Sequence, residues 1–267
     1  MTAGRRRTFN TTLRAEWTKL RTALGTIWLL AATMVLTMAV STAATAATRC
    51  PAGAACPVDP ARLSLTGVEF GQAVVAILAV LGISSEYSTG MIRTTLTAMP
   101  RRAAVLAAKA AATTGPVLAV AALAVAGSLL AGRLILPGHG FTAARGFPVV
   151  SLADGPVLRA AAGSVLYLAL IALLSLGAAT ALRDSAAAIT VVLGLLYIFP
   201  VLGDVVLNPA WQHRIARWAP MNAGLAIQAT RNLGTLPIGP WAGLGVRAAW
   251  TAVALVAGGL LLRLRDA

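Results

Sequence analysis

Six stretches of about twenty or more mostly apolar residues run along the chain, at about residues 24–47, 66–85, 110–132, 157–182, 186–206 and 241–262. A hydrocarbon core of roughly 30 Å is crossed by about 20 helical residues, and its dryness forces backbone groups to bond within the segment. Each stretch therefore predicts a transmembrane helix, and the chain reads as an all-α integral membrane protein forming a single transmembrane domain over 1–267. Only Arg183-Asp184-Ser185, a tight polar turn, separates the fourth stretch from the fifth. The shared Ala, Leu, Val and Gly content suits close helix approach through small residues.

The polar interruptions are patterned as well. Residues 1–23 are polar and basic, and from Phe9 onward Phe9, Leu13, Trp17, Leu20 and Leu24 recur at helical spacing, with Arg14 and Lys19 on the opposite side. That predicts an amphipathic helix lying in the membrane interface. Small residues around Ala44–Ala47 resemble a signal-peptide cleavage site, but the apolar run is longer than a signal h-region, so a retained span is expected. Residues 86–109 form a basic island that opens on Glu86, breaks at Gly90 and stops at Pro100-Arg101-Arg102. This spacing predicts a short helix held at a membrane surface. In residues 207–234, Trp211, Ile215 and Trp218 share a face beside Arg214 and Arg217, which predicts short helices dipping into the interface.

Composition sharpens this reading. The chain is 58% hydrophobic and 11% charged, with a mean hydropathy of +0.80, whereas soluble domains carry about 25% charged residues. A net charge of +14 raises nucleic-acid binding, but the basic residues sit at the ends of apolar runs, where headgroups and orientation account for them. No nucleic-acid partner is expected; the lipid bilayer is. With the N-terminus inside, the cytoplasmic flanks hold Arg5, Arg6, Arg7, Arg14, Lys19, Arg21, Arg93, Arg101, Arg102, Lys109, Arg183, Arg263 and Arg265. The external flanks hold Arg49, Arg62, Arg133, Arg145, Arg159, Arg214, Arg217 and Arg231. The excess inside favours both termini in the cytoplasm of a multi-pass plasma-membrane protein.

Catalytic patterns do not emerge. His139 and His213, both in loops, are the two histidines, and no His-Glu-x-x-His pair, Gly-x-Ser-x-Gly elbow or phosphate-binding Gly-Lys-Ser/Thr loop occurs. The chain reads as a non-enzyme with no catalytic residue, no metal and no cofactor of its own. Cys50 and Cys56 share an external Pro/Gly-rich loop, where they could form a disulfide closing a short ring or remain two thiols. Ionisable groups inside spans are functional candidates. Glu69, Gln72, Asp204 and Arg247 all fall near outer span ends, where snorkelling to the interface is the plain expectation and a Glu69–Arg247 pair bracketing an outer gate the sharper one.

Three segments together resemble the permeases of type-2 ABC exporters, in their small actinobacterial form. They are Leu13-Arg14-Ala15-Glu16-Trp17-Thr18-Lys19-Leu20-Arg21, then Ser85 to Leu96 with Pro100-Arg101-Arg102, and Trp218-Ala219-Pro220-Met221-Asn222-Ala223-Gly224. The resemblance covers essentially the whole length. It implies six spans, a homodimer or a heterodimer with a second permease, and a separate ATP-binding subunit holding the ATP and Mg. It would make Thr8–Thr22, with Arg14, Glu16, Trp17 and Lys19, the interfacial connecting helix. Tyr87–Ala98, including Thr89, Gly90, Met91, Ile92, Arg93 and Leu96, would be the coupling helix seated in a groove of the ATPase, with Glu86 at its membrane-proximal end. Residues 207–234 would be re-entrant external helices capping the gate. The function this implies is export of a hydrophobic or amphipathic substrate. A non-transporting membrane scaffold or sensor and a secondary carrier are the alternatives; a proton-coupled carrier would be expected to place acids near the midplane.

Overall fold

The computed structural model describes residues 24–51, 56–88, 102–205 and 208–264, and these fold into helices joined by short loops. The elements are α1 (Leu24–Ala47), α2 (Pro60–Ser64), α3 (Val68–Ser88), α4 (Arg102–Ile135), α5 (Gly155–Leu182), α6 (Ser185–Val205), α7 (Pro209–Trp218), α8 (Pro220–Leu225) and α9 (Pro240–Leu264). Among the described residues, α1, α3, α4, α5, α6 and α9 contain segments long and apolar enough to cross a membrane. Several helices start on proline, where the missing N–H costs nothing. Asp59 before Pro60 and Asn208 before Pro209 also cap their helices through side-chain oxygens.

α5 and α3 are the two long helices with most of their residues buried, and the others pack around them. α5 touches α9, α3, α4 and α6, while α1 lies against α4 and α3. The peripheral helices turn large apolar side chains outward, among them Leu24, Trp28 and Val35 on α1, Leu123 and Leu134 on α4, and Val253 and Val256 on α9. A bilayer accepts that arrangement, and water would not.

What α1 turns inward is small and polar. Its buried residues are Thr33, Thr37, Ser41 and Thr45, one per turn on a single stripe. Between lipid and protein, apolar side chains have little preference, so helices associate through small residues that let backbones approach. Ser41 Oγ accepts from the Gly67 N–H at 3.0 Å, and a methyl group on Gly67 would strike the Thr37 carbonyl. The α5–α9 contact is built the same way: a Cβ on Gly177 would stand 2.6 Å from the Ala254 carbonyl carbon, and one on Gly258 would stand 2.6 Å from the Gly177 oxygen.

Two boundaries differ from the sequence expectation. α4 begins at Arg102, eight residues before the apolar run, because Ala103–Lys109 contains no glycine or proline and its alanines favour helix. Lys109 is consequently buried in a helix and not part of a loop. The second span's helix continues through Glu86 and Tyr87 to Ser88, so Tyr87 extends a long helix instead of opening a separate one.

At one end of the bundle lie the Cys50–Cys56 disulfide (Cα–Cα 6.0 Å), α2, and the α7–α8 segment. The bundle thus has a disulfide end. α8 packs on α9, α5 and α6, covering their ends.

Candidate functional site

In the disulfide-end half of the bundle, α3, α5, α6, α8 and α9 converge on a buried polar cluster. Gln72 lies one turn into α3, about 6 Å along its axis, and Arg247 lies about 10 Å along α9. Tyr167 on α5 stands between them. Its hydroxyl donates to Gln72 Oε1 at 2.5 Å. The Gln72 amide donates in turn to the Glu69 carbonyl at 3.0 Å and to Met221 Sδ of α8 at 3.2 Å. Tyr197 of α6 donates to that same Glu69 carbonyl at 2.5 Å.

Arg247 is the anomaly of the cluster. Its side chain is 0% exposed, the largest among the fully buried ones, and its Nε, Nη1 and Nη2 have no hydrogen-bond partner. The guanidinium carbon lies 5.6 Å from the centroid of the Tyr167 ring. A cation–π contact of this kind contributes roughly 0.5–2 kcal/mol, whereas enclosing an unpaired charge costs several. Packing alone therefore gives no reason to keep an arginine here. The backbone around it is tightly held: Thr251 Oγ1 donates to the Arg247 carbonyl at 3.0 Å and to the Leu170 carbonyl at 3.1 Å. A Cβ on Gly224 of α8 would collide with the Tyr167 ring, so glycine lets α8 settle directly on it.

The snorkelling expected for Gln72 and Arg247 does not occur, since both are 0% exposed. The physical reason is α8, which folds over the end of α9 and leaves Arg247 beneath a lid rather than at a rim. Glu69 is half-buried, and no hydrogen bond joins its carboxylate to Arg247, whose nitrogens are all unpaired.

The lid is latched by polar contacts on every side. Trp250 Nε1 donates to the Trp218 carbonyl at 3.1 Å, and Gln228 Nε2 donates to Ser164 Oγ at 3.1 Å. Arg159 Nη2 donates to the Ala229 carbonyl at 2.6 Å. The Asp59 carboxylate accepts from the Thr230 N–H at 2.5 Å, the Thr230 hydroxyl at 2.7 Å and the Arg231 N–H at 3.0 Å, while also capping α2. Sequence reasoning missed Asp59. Its Asp-Pro pair signals a helix start, but nothing local points to a partner 171 residues away.

Above the latch opens a cavity of about 790 Å³, lined by Arg62, Arg145 and Arg231 together with Asp59, Phe147 and the disulfide. Arg145 Nη1 donates to the Cys50 carbonyl at 2.9 Å, and Arg231 lies 4.7 Å from the Phe147 ring centroid. With three guanidinium groups against the one Asp59 carboxylate, this rim is electropositive.

At the opposite end, Glu86 falls in the last turn of α3. Tyr87 is half-buried against a cluster of Val80, Ile83, Leu176, Ala179 and Ala188, with the Arg183 guanidinium 5.7 Å from its ring centroid. Thr89, Gly90, Met91, Ile92, Arg93 and Leu96 lie outside the described residues, as do Arg14, Glu16, Trp17 and Lys19. Among the described residues no group of three or more His, Cys, Asp or Glu side chains could hold a metal ion. The chain matches no protein-family model and no curated protein.

Proposed function

We propose that this chain is the membrane-spanning permease subunit of an ATP-driven exporter, working as a homodimer or with a sister permease and coupled to a separate ATPase that carries the ATP and Mg. The observation that best supports this reading is the division of labour between the two ends of one bundle. One end is closed over a buried polar cluster by a latched pair of short helices; the other carries the basic island that follows Glu86. The disulfide supports assigning the latched end to the oxidising exterior, which puts the island and both termini in the cytoplasm.

The geometry suits such a task. The island joins α3 to α4, and α3 is one of the two most buried long helices. A push on the island would pass along α3 to Gln72 and thence to Met221 of the lid, as rigid packed elements shift between two arrangements. The α5–α9 pair, zipped backbone to backbone at Gly177 and Gly258, would move as one body.

The deciding experiment is a mild-detergent pull-down of the tagged chain from its own membranes. A stoichiometric ATPase whose hydrolysis rate rises in the complex is the expected result. Recovery of the chain alone, or ATP-independent flux by the purified chain in liposomes, overturns the reading.

A further inference from the structure

We infer that Arg247 is a binding group for an anionic head, a carboxylate or phosphate carried on an apolar tail, and that the α7–α8 segment is the lid over this site. An arginine with every guanidinium donor unspent, enclosed where charge is costly, is a functional group by default inside a membrane-spanning bundle. Its planar fork matches carboxylate and phosphate oxygens, and it forms its strongest pairs where water is excluded.

The surroundings set the chemistry of the ligand. Among the described residues no carboxylate satisfies Arg247, which leaves its charge open to a ligand. The Tyr167 hydroxyl and the Gln72 amide already spend their donors within the cluster, which leaves the guanidinium donors for the ligand, while Met221 and the Tyr167 ring are apolar. A charged head beside apolar walls describes an amphiphile rather than a free ion. Positive charge continues toward the disulfide end: Arg159, whose Nε is also buried without a partner, lies about 12 Å from Tyr167 along α5. The lid itself is two short helices, held at the Trp218 carbonyl by Trp250 and through Gln228 and Ala229 just beyond α8 by Ser164 and Arg159, a closure that opens without unfolding a span.

That such an amphiphile is the exported cargo rests on the export reading, but its binding needs no ATPase. Failure of the pull-down would leave the binding result standing, and the reverse holds equally. The test measures thermal unfolding of the purified full chain in nanodiscs of zwitterionic lipid. Decyl phosphate is the probe; decanol lacks the charge and inorganic phosphate lacks the tail.

Decyl phosphate should raise the midpoint, while decanol and inorganic phosphate should leave it unchanged. Arg247→Met, which removes an unpaired buried charge at similar volume, should unfold at a higher temperature than the wild type without probe. It should bind decyl phosphate about ten-fold more weakly or worse, and Arg247→Lys should fall between. Nanodiscs containing phosphatidylglycerol identify the source: if they abolish the response to added decyl phosphate, a lipid headgroup fills the site, and if not, a free amphiphile does. An equal response to decanol, or a full response in Arg247→Met, overturns the inference. So does an Arg247→Met chain that folds and yet unfolds at a lower temperature than the wild type, which would mark a purely structural arginine. Should Arg247→Met not fold, the wild-type probes together with Arg247→Lys decide the question.

Discussion

Replacing Asp59 should free the lid, and the size of the effect follows from its contacts. Its carboxylate accepts two hydrogen bonds at the start of α2, from Ala61 N at 3.1 Å and Arg62 N at 3.3 Å. Three more come from Thr230 and Arg231. Loss of the cap costs about 1 kcal/mol. Bonds to a charged acceptor contribute roughly 1.5–3 kcal/mol when shielded, and these are partly solvated, so about 1 kcal/mol each is the fair figure. Of a total near 4 kcal/mol, about 3 kcal/mol opposes lid opening, equivalent to a change of roughly a hundred-fold in the opening constant. Hydrogen exchange reads this directly. The amides of Ala223 and Ala229 bond to the lid's own carbonyls, Ala219 and Ala226, so they lose no partner in Asp59→Ala and exchange faster only if the lid opens. Their exchange should rise by roughly a hundred-fold in Asp59→Ala and by less in Asp59→Asn, which keeps one carbonyl acceptor. Thr230→Val removes the hydroxyl donor alone, and its effect should vanish in the Asp59→Ala background. Exchange within about three-fold of the wild type at both amides would refute the latch.

Other perturbations test other parts of the architecture. Gly177→Ala places a methyl group against the Ala254 backbone, which no rotamer can relieve, and should destabilise the chain by about 1–3 kcal/mol in detergent unfolding. Gly82→Ala, whose Cβ meets nothing within 4 Å, should be neutral or stabilising in the same assay. Cys50 and Cys56 should resist maleimide until reduced, and the Cys50→Ser/Cys56→Ser chain should lose about 2 kcal/mol, the loop-closure entropy of so short a ring. If the proposed export function holds, Glu86→Ala should abolish stimulation of the proposed ATPase subunit while membrane insertion, followed by protease accessibility, stays normal.

The long helices were legible because apolar run length is a direct physical requirement of the bilayer. The short helices after the fifth span were legible from the Trp211, Ile215 and Trp218 face and the following Ala219-Pro220 stop. The start of α4 was hidden because Arg102 and Lys109 read as polar flanks, while helix formation needs only the alanines between them. The candidate site was half legible. Arg247 stood out as a charge within an apolar run, but its depth depends on where α8 lands, a tertiary outcome. Gly224 of α8 is the residue that permits that landing, and a single glycine carries no such message in sequence.

The hydroxyl stripe of α1 bears on how the protein is made. Thr33 donates to the Leu29 carbonyl at 2.8 Å, Thr42 to Met38 at 2.7 Å and Thr45 to Ser41 at 3.0 Å, each within its own helix. A nascent α1 leaving the translocon can thus bring Thr33, Thr42 and Thr45 into lipid already satisfied, before any neighbour has been synthesised, while Ser41 gains its Gly67 partner later. It can wait as an independent span and later dock that stripe against Gly67 and Gly71 of the α3 region as they emerge. Its small polar face serves assembly twice, tolerable to lipid at first and close-fitting to protein afterwards.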